Sequence, residues 1–201
     1  MKRIDCLRAL GPSVTDEDLV IISLGGTGLE WHATRPGDNN LFLVAMGCNT
    51  PVALGLALAL KHRRIILLET DGSLLLNMGA LATLGNLAPP NLRIFVFDNQ
   101  GYERVRHDIS ATSGKTDLAA IARGCGIAGA STVRTDHEFA IAADATMRGD
   151  GLSFVVAKVE PGIAAVPGRP SDGLEEKYRF VRHVERLEGR TILAAYRAKL
   201  D

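Results

Sequence analysis

One segment constrains the fold of this chain more than any other. Residues 65–101 read IILLETDGSLLLNMGALATLGNLAPPNLRIFVFDNQG. The order is a short apolar run, an acidic glycine turn, a helix-like stretch, a second apolar run and a turn rich in carbonyl groups, which is typical of a βαβ unit. Because such a crossover is right-handed and joins parallel strands, both strands end at the same edge of the sheet. Asp71 and Asn99 are therefore predicted to meet at that edge.

The residues predicted to gather at this edge favour a metal-bridged diphosphate. Open α/β sheets bind ligands at the carboxyl ends of their strands. Asp71 offers a carboxylate oxygen, Asn99 an amide oxygen and Gly101 a backbone carbonyl, and Mg²⁺ combines such hard donors with water and substrate phosphates. Gly72 permits close approach of the backbone, and Ser73 adds an N–H and a hydroxyl where an anion is favoured. The alternative is an ordinary βα turn with an acidic N-cap.

The two turns together resemble a known signature. Thiamine-diphosphate enzymes pair Gly-Asp-Gly-Ser with a distant Asn-Asn, and in this chain Thr70 and Asp98 replace the first residue of each half. The resemblance implies a thiamine-diphosphate-binding fold, thiamine diphosphate and Mg²⁺ as cofactors, and metal ligands at Asp71, Asn99 and Gly101. The residues implied in cofactor binding within this segment are Asp71, Gly72, Ser73, Asn99, Gly101 and Tyr102.

Upstream, the stretch 44–47 resembles the Gly-Ser-Met-Gly piece of two-chain 2-oxo acid decarboxylases. The resemblance implies that Met46 bends the cofactor and that the Val44 carbonyl accepts from its amino group. The glycine cluster at 25–28 follows a predicted strand over 19–24 and is interpreted as a tight turn beside the active edge. Thr27 within it is a candidate contact near the substrate.

A helix is predicted to follow Met46. Thr50 is expected to cap it, with Pro51 at its first position. Its body, 52–60, is apolar nearly all round, which is typical of a helix buried on every side.

Downstream of Tyr102 the sequence is rich in cations. Arg104, Arg106 and His107 follow the predicted metal-binding turn, and guanidinium groups bind carboxylates, sulfonates and phosphonates bidentately. These three residues are the candidate substrate contacts; the alternative is a solvated charged loop. The later run TDLAAIARGCGI resembles the β subunits of sulfopyruvate decarboxylases in particular, and the C-terminal half of phosphonopyruvate decarboxylases is also similar.

The whole chain predicts one α/β domain. Strands that alternate with helices indicate a three-layer αβα sandwich with a mainly parallel sheet. The 201 residues suit a single domain over 1–201, with helices over 174–201 at its C-terminus. Zero net charge gives no electrostatic footprint for nucleic acid. Three scattered cysteines and apolar runs too short to span a bilayer indicate a cytoplasmic protein without a membrane segment.

The resemblance also implies what this chain lacks. In the family, a glutamate on a second, pyrimidine-binding domain activates the cofactor. We therefore expect a pyrimidine-binding α subunit, an α₂β₂ or larger assembly, and decarboxylation of a small 2-oxo acid, with sulfopyruvate to sulfoacetaldehyde and CO₂ as the leading reaction. The alternatives are a phosphonopyruvate decarboxylase subunit, an acetolactate-synthase-like carboligase and a non-catalytic cofactor-binding protein. An iron–sulfur oxidoreductase is disfavoured, because the cysteines form no ligand set.

Overall fold

The structure is a computed structural model that describes residues 1–43, 45–103, 108–169 and 172–193. Its strands are β1 (Leu19–Ile22), β2 (Asn40–Phe42), β3 (Ile65–Thr70), β4 (Leu92–Asp98), β5 (Gly101–Tyr102), β6 (Asp108–Ile109), β7 (Ser131–Val133) and β8 (Ser153–Lys158). Six of them form one sheet in the order β2-β1-β3-β4-β8-β7, and all of its neighbours are parallel. The short strands β5 and β6 form a separate antiparallel pair.

Helices cover both faces of the sheet. They are α1 (Arg3–Leu10), α2 (Gly26–Thr34), α3 (Asn49–Ala59), α4 (Asp71–Leu75), α5 (Gly79–Leu87), α6 (Leu118–Gly124), α7 (Asp136–Arg148) and α8 (Gly173–Glu188). Two single 3₁₀ turns lie at Gly11–Ser13 and Ala111–Ser113.

Two apolar cores lie on opposite sides of the sheet, because successive strand residues point to opposite faces. Along β1, Leu19 and Ile21 enter the core shared with α3, α5, α6 and α8. Val20 and Ile22 enter the core shared with α1, α2 and α7. The predicted three-layer α/β architecture with a parallel sheet is confirmed.

The register of the two central strands brings the predicted site residues together. Thr70, the last residue of β3, pairs with Phe97 near the end of β4. Asp71 and Asp98 therefore leave the sheet side by side, with Asn99 one residue further on. This is the arrangement that the βαβ pattern predicts.

Three local expectations were wrong. Helix α3 begins at Asn49 after Cys48, without a side-chain cap from Thr50. It is not buried on every side, since Leu58 is 38% exposed and the whole outer side of the helix faces solvent. Gly26 to Gly28 are the first residues of α2 rather than a free turn, while Gly25 before them has a φ of 83°, a conformation that glycine adopts at little cost.

Two further expectations concern the whole chain. That residues 1–201 form one domain stays a prediction; α8 occupies the beginning of the predicted C-terminal helical region, and positions 194–201 lie outside the described residues. In the part of the chain that the structure describes, no helix has both the length and the apolar character needed to cross a bilayer.

Candidate functional site

Asp71 is positioned by a helix cap at the end of β3. The Thr70 hydroxyl accepts a hydrogen bond from Ser73 N at 3.4 Å and lies 3.3 Å from the Ser23 hydroxyl. The chain therefore turns into α4 directly after the strand, and Asp71 is fully buried. Threonine in place of the family's glycine thus has a structural role as the cap.

The two oxygens of the Asp71 carboxylate have different surroundings. Oδ2 accepts from Ser110 Oγ at 2.5 Å and from Thr112 Oγ1 at 3.2 Å. Oδ1 is buried and has no hydrogen-bond donor among the described residues. Burial raises the pKa of Asp71, the Ser110 hydroxyl opposes this rise, and the nearby Asp98 carboxylate adds to it. A buried anionic oxygen without a donor is costly unless a cation or another ligand satisfies it.

Asp98 is the centre of a second set of contacts. Its Oδ1 accepts from Thr112 Oγ1 at 2.7 Å and from Gln100 N at 3.1 Å, and its Oδ2 forms an ion pair with Lys158. Lys158 is the last residue of β8, which pairs with β4. The aspartate that replaces the family's asparagine therefore has a lysine counter-charge from the neighbouring strand. We call Asp71, Asp98, Ser110, Thr112 and Lys158 the rim network.

Asn99 and Gly101 lie at a cavity of about 60 Å³ beside the rim network. Asn99 is 5% exposed, and its Oδ1 accepts from Gly101 N at 3.3 Å. The structure also brings Met46, Gly72 and Tyr102 to this cavity, as predicted for cofactor contacts. The full lining comprises Arg3, Leu24, Gly25, Gly26, Met46, Thr70, Gly72, Asn99, Gly101, Tyr102 and Glu103.

Ser73 is oriented differently from the sequence expectation. Its hydroxyl accepts from Gly47 N at 3.1 Å and from Asn49 Nδ2 at 3.0 Å. It does not line the cavity. Ser73 instead ties α4 to the turn that follows Met46, and so positions the Met46 wall of the cavity.

Tyr102 packs directly on Gly72. A Cβ atom added at Gly72 would lie 2.5 Å from Tyr102 Cε1 and 2.7 Å from Cδ1. Glycine is therefore required at position 72 for the tyrosine ring to rest against the start of α4.

Two buried charged groups next to the site carry no motif in the sequence. Glu69, in β3, is fully buried; its Oε1 accepts from Asn49 Nδ2 at 2.8 Å and from Thr70 N at 2.9 Å. Burial raises the pKa of Glu69, and the Asn49 hydrogen bond opposes the rise. The only sequence signal was a charged residue at an inward-facing strand position.

The second group is centred on Arg3, which is 3% exposed. Its Nε donates to Glu30 at 2.9 Å, and its Nη2 donates to Glu103 at 3.2 Å and to the Gly162 carbonyl at 3.0 Å. Because Arg3 and Glu103 both line the cavity, this network joins the cavity wall to the segment around Gly162.

Five further residues were predicted at the site; the structure describes one of them and not the other four. Thr27 is fully buried in α2, its hydroxyl has no hydrogen-bond partner among the described residues, and it does not line the cavity. Val44, Arg104, Arg106 and His107 lie outside the described residues, so their roles stay predictions.

Comparison with known proteins defines the class of this chain. Residues 29–157 match the family described as "Thiamine pyrophosphate enzyme, C-terminal TPP binding domain"; thiamine pyrophosphate is another name for thiamine diphosphate. This range contains both halves of the signature and most of the cavity wall. The chain belongs to the thiamine pyrophosphate enzymes, and the resemblance stated from the sequence is confirmed.

Individual relatives narrow the comparison. The chain is 31% identical to the sulfopyruvate decarboxylase subunit beta of Methanothermobacter thermautotrophicus, over 92% of this chain and 96% of that protein. It is 30% identical to a sulfopyruvate decarboxylase of Methanosarcina acetivorans, over 90% of this chain but only 46% of that longer protein. Among solved structures, benzoylformate decarboxylase from Polynucleobacter necessarius superimposes with a TM-score of 0.68 at 16% identity, over 82% of this chain and 34% of that chain, which shows the shared fold.

Proposed function

We propose that this chain is the diphosphate-binding subunit of a thiamine-diphosphate- and Mg²⁺-dependent decarboxylase that acts on a small acidic 2-oxo acid. Sulfopyruvate is the proposed substrate, with sulfoacetaldehyde and CO₂ as products. The observation that carries the proposal is the buried Asp71 Oδ1, which has no donor among the described residues at the edge where Asn99 also lies. The match to the thiamine pyrophosphate family supports the choice of cofactor.

The residues at this edge fit a divalent cation. Asp71 supplies a negative oxygen, Asn99 an amide oxygen and Gly101 a backbone carbonyl, which are the donor types that Mg²⁺ takes. Ser110 and Thr112 hold the other Asp71 oxygen by hydrogen bonds, so the unpartnered oxygen is fixed in orientation. Such outer contacts fix the orientation of a metal ligand.

The residues that line the cavity are suited to contact the cofactor. Gly72 lets the Tyr102 ring pack against the start of α4, and Met46 provides a bulky apolar side chain on the same cavity. Bound thiamine diphosphate would supply the electron sink for loss of CO₂ from the 2-oxo acid. The chain's own residues would anchor the diphosphate end and hold the cofactor's orientation.

The proposal requires a second chain. The relative from Methanothermobacter is named as a subunit, and it has nearly the same length as this chain. The relative from Methanosarcina carries an additional region longer than the part that matches. We infer that a separate pyrimidine-binding subunit supplies the corresponding region, together with the activating glutamate.

Reconstitution tests the function. The chain would be co-purified with a candidate pyrimidine-binding subunit and assayed for CO₂ release from sulfopyruvate, phosphonopyruvate and pyruvate, with Mg²⁺ and thiamine diphosphate. We expect release from sulfopyruvate by the pair and none from either chain alone. If any of the three substrates gives a product in which two oxo-acid units are joined, the chain is a carboligase subunit rather than a decarboxylase subunit.

Variants test the site independently of turnover. Asp71→Ala should abolish Mg²⁺-dependent binding of thiamine diphosphate to the pair, measured by calorimetry, because it removes the only carboxylate of the proposed ligand set. Asp144→Ala is the matched control, since Asp144 is an exposed residue of α7 paired with Arg148. Unchanged cofactor binding by Asp71→Ala would overturn the proposed metal site.

A further inference from the structure

One side of the molecule has an unusual composition. Residues 47–60 and 72–92, which include α3, α5 and all of α4 except its first residue, Asp71, contain no Asp, Glu, Lys or Arg. In the whole chain these four residue types make up 23%. A solvent-facing helix normally carries charged residues on its outer side, so the absence of charge here needs a physical reason.

The outer side of these helices is exposed in the isolated chain. Their inner residues pack in the core beneath the sheet, among them Ala53, Ala57, Leu81 and Leu84. The outer residues of α3, α5 and the short segment between α4 and α5 include Leu58 (38% exposed), Leu76 (60%), Met78 (37%) and Leu87 (50%). We call these four side chains and the outer surface of α3 and α5 around them the uncharged face. Exposed apolar surface of this kind marks an interaction site, and the centre of protein interfaces is depleted in charge.

The neighbouring helix α8 provides an internal comparison. It covers the same side of the sheet, but its outer surface carries ion pairs such as Arg186 with Asp38 and Arg182 with Glu185. The lack of charge is therefore specific to α3, α5 and the segment 72–78 between them rather than a property of the whole layer.

We propose that the uncharged face is the docking surface for the pyrimidine-binding subunit, an inference that rests on the proposed function. The face is continuous with the cofactor cavity: Asn77 Nδ2 donates to the Gly47 carbonyl at 2.9 Å, and Gly47 follows Met46 in the cavity wall. A chain seated on the face therefore reaches the edge of the cavity. The partner would present an apolar surface of matching character, since charged groups buried without a counter-charge are costly.

Two observations favour this partner over a second copy of the chain. The Methanosarcina relative carries a large region beyond the matching part within one polypeptide, so that region remains attached to the equivalent of this chain. Leu76 of the face also lies close to Gly47, the residue after Met46 of the cavity wall: a Cβ added at Gly47 would lie 3.4 Å from the Leu76 Cβ. A partner that completes the active site must lie at this border.

The test places charge on the face at points far from the cavity. Leu58 and Leu87 lie near the ends of α3 and α5, which pack against each other. The double variant Leu58→Glu/Leu87→Glu should bind the pyrimidine-binding subunit on the order of 100-fold more weakly, measured by calorimetry or size-exclusion chromatography. Ile141→Glu is the matched control, because Ile141 is 58% exposed but lies on α7, on the opposite side of the sheet.

Folding of the variants is checked separately by urea denaturation, where exposed positions should change the free energy of unfolding little. If the double variant binds the pyrimidine-binding subunit with wild-type affinity, the proposal is overturned. It is also overturned if the double variant loses only its association with other copies of this chain and still binds the subunit normally. Failure of the wild-type chain to bind the subunit would overturn the proposed function as well, which distinguishes the two conclusions.

Discussion

Asp71 and Asp98 accept hydrogen bonds from the same hydroxyl: Thr112 Oγ1 lies 3.2 Å from Asp71 Oδ2 and 2.7 Å from Asp98 Oδ1. One hydroxyl carries one proton, so it satisfies one carboxylate at a time. Ser110 donates to Asp71, and Lys158 neutralises Asp98. The two carboxylates therefore coexist at this edge because each has its own partner besides the shared one.

Lys158→Met should destabilise the fold. The Asp98 side chain is fully buried and the Lys158 side chain is 19% exposed, so removal of the lysine leaves a buried carboxylate without a counter-charge beside Asp71. We expect the free energy of unfolding, measured by urea denaturation, to fall by about 2–3 kcal/mol.

The double variant Asp98→Asn/Lys158→Met restores the asparagine of the family signature and removes the buried charge together with its partner. Most of the lost stability should return, because no unpaired charge remains. A double variant no more stable than Lys158→Met would show that the loss comes from packing rather than from charge.

Asp71→Asn should have opposite effects on the free and the loaded protein. Without metal, the substitution removes a buried negative charge and should raise the free energy of unfolding by about 1 kcal/mol. With Mg²⁺ and thiamine diphosphate, the variant should lose the stabilisation that ligand binding gives to the wild type. Thermal unfolding with and without these ligands measures both effects, and Asp144→Asn should change neither. Lower stability of metal-free Asp71→Asn would contradict the charge argument.

The pH dependence of stability follows from the raised pKa of Asp71. Because burial favours the protonated form in the folded state, the stabilisation is fully present below the unfolded pKa of about 3.9 and is lost as pH rises through the folded value. In metal-free protein, the free energy of unfolding of the wild type minus that of Asp71→Asn should therefore fall as pH increases over this window. Urea denaturation at a series of pH values gives the difference curve; a difference that grows with pH would refute the assignment.

Gly72→Ala should destabilise the chain by about 1–3 kcal/mol, because its Cβ would lie 2.5 Å from the Tyr102 ring. Gly55→Ala is the control: no described atom lies within 4 Å of an added Cβ there, and alanine in a helix interior should raise the free energy of unfolding by roughly 0.5–1 kcal/mol. In the double variant Gly72→Ala/Tyr102→Ala the steric cost of the added methyl group should disappear. Urea denaturation of the wild type and the three variants measures these differences in the free energy of unfolding. If Gly72→Ala is as stable as the wild type, the Tyr102 ring can move aside at no cost and the steric argument is wrong.

Much of the site follows from chain order alone. A parallel βαβ unit forces Asp71 and Asn99 to the same edge whatever surrounds them, so two short motifs located the site. The family pattern likewise identified Met46 and Gly72, which both line the cavity.

The partners of these residues could not be predicted in the same way. Ser110, Thr112 and Lys158 reach Asp71 and Asp98 from segments whose local sequence contains no motif, and only the three-dimensional packing brings them together. The Ser73 hydroxyl was assigned to an anion because helix starts favour anions, but it is turned towards Gly47 N and Asn49 Nδ2, which both donate to it. Helix α3 was expected to be buried because its composition is apolar. Apolar composition does not indicate whether the same chain or a partner chain buries the helix.

The absence of charge from the uncharged face has a consequence for the chain before it assembles with a partner. A subunit made in excess of its partner would expose this apolar surface to other newly made chains, and aggregation would follow. Balanced synthesis of the two subunits would then be a requirement for solubility as much as for activity.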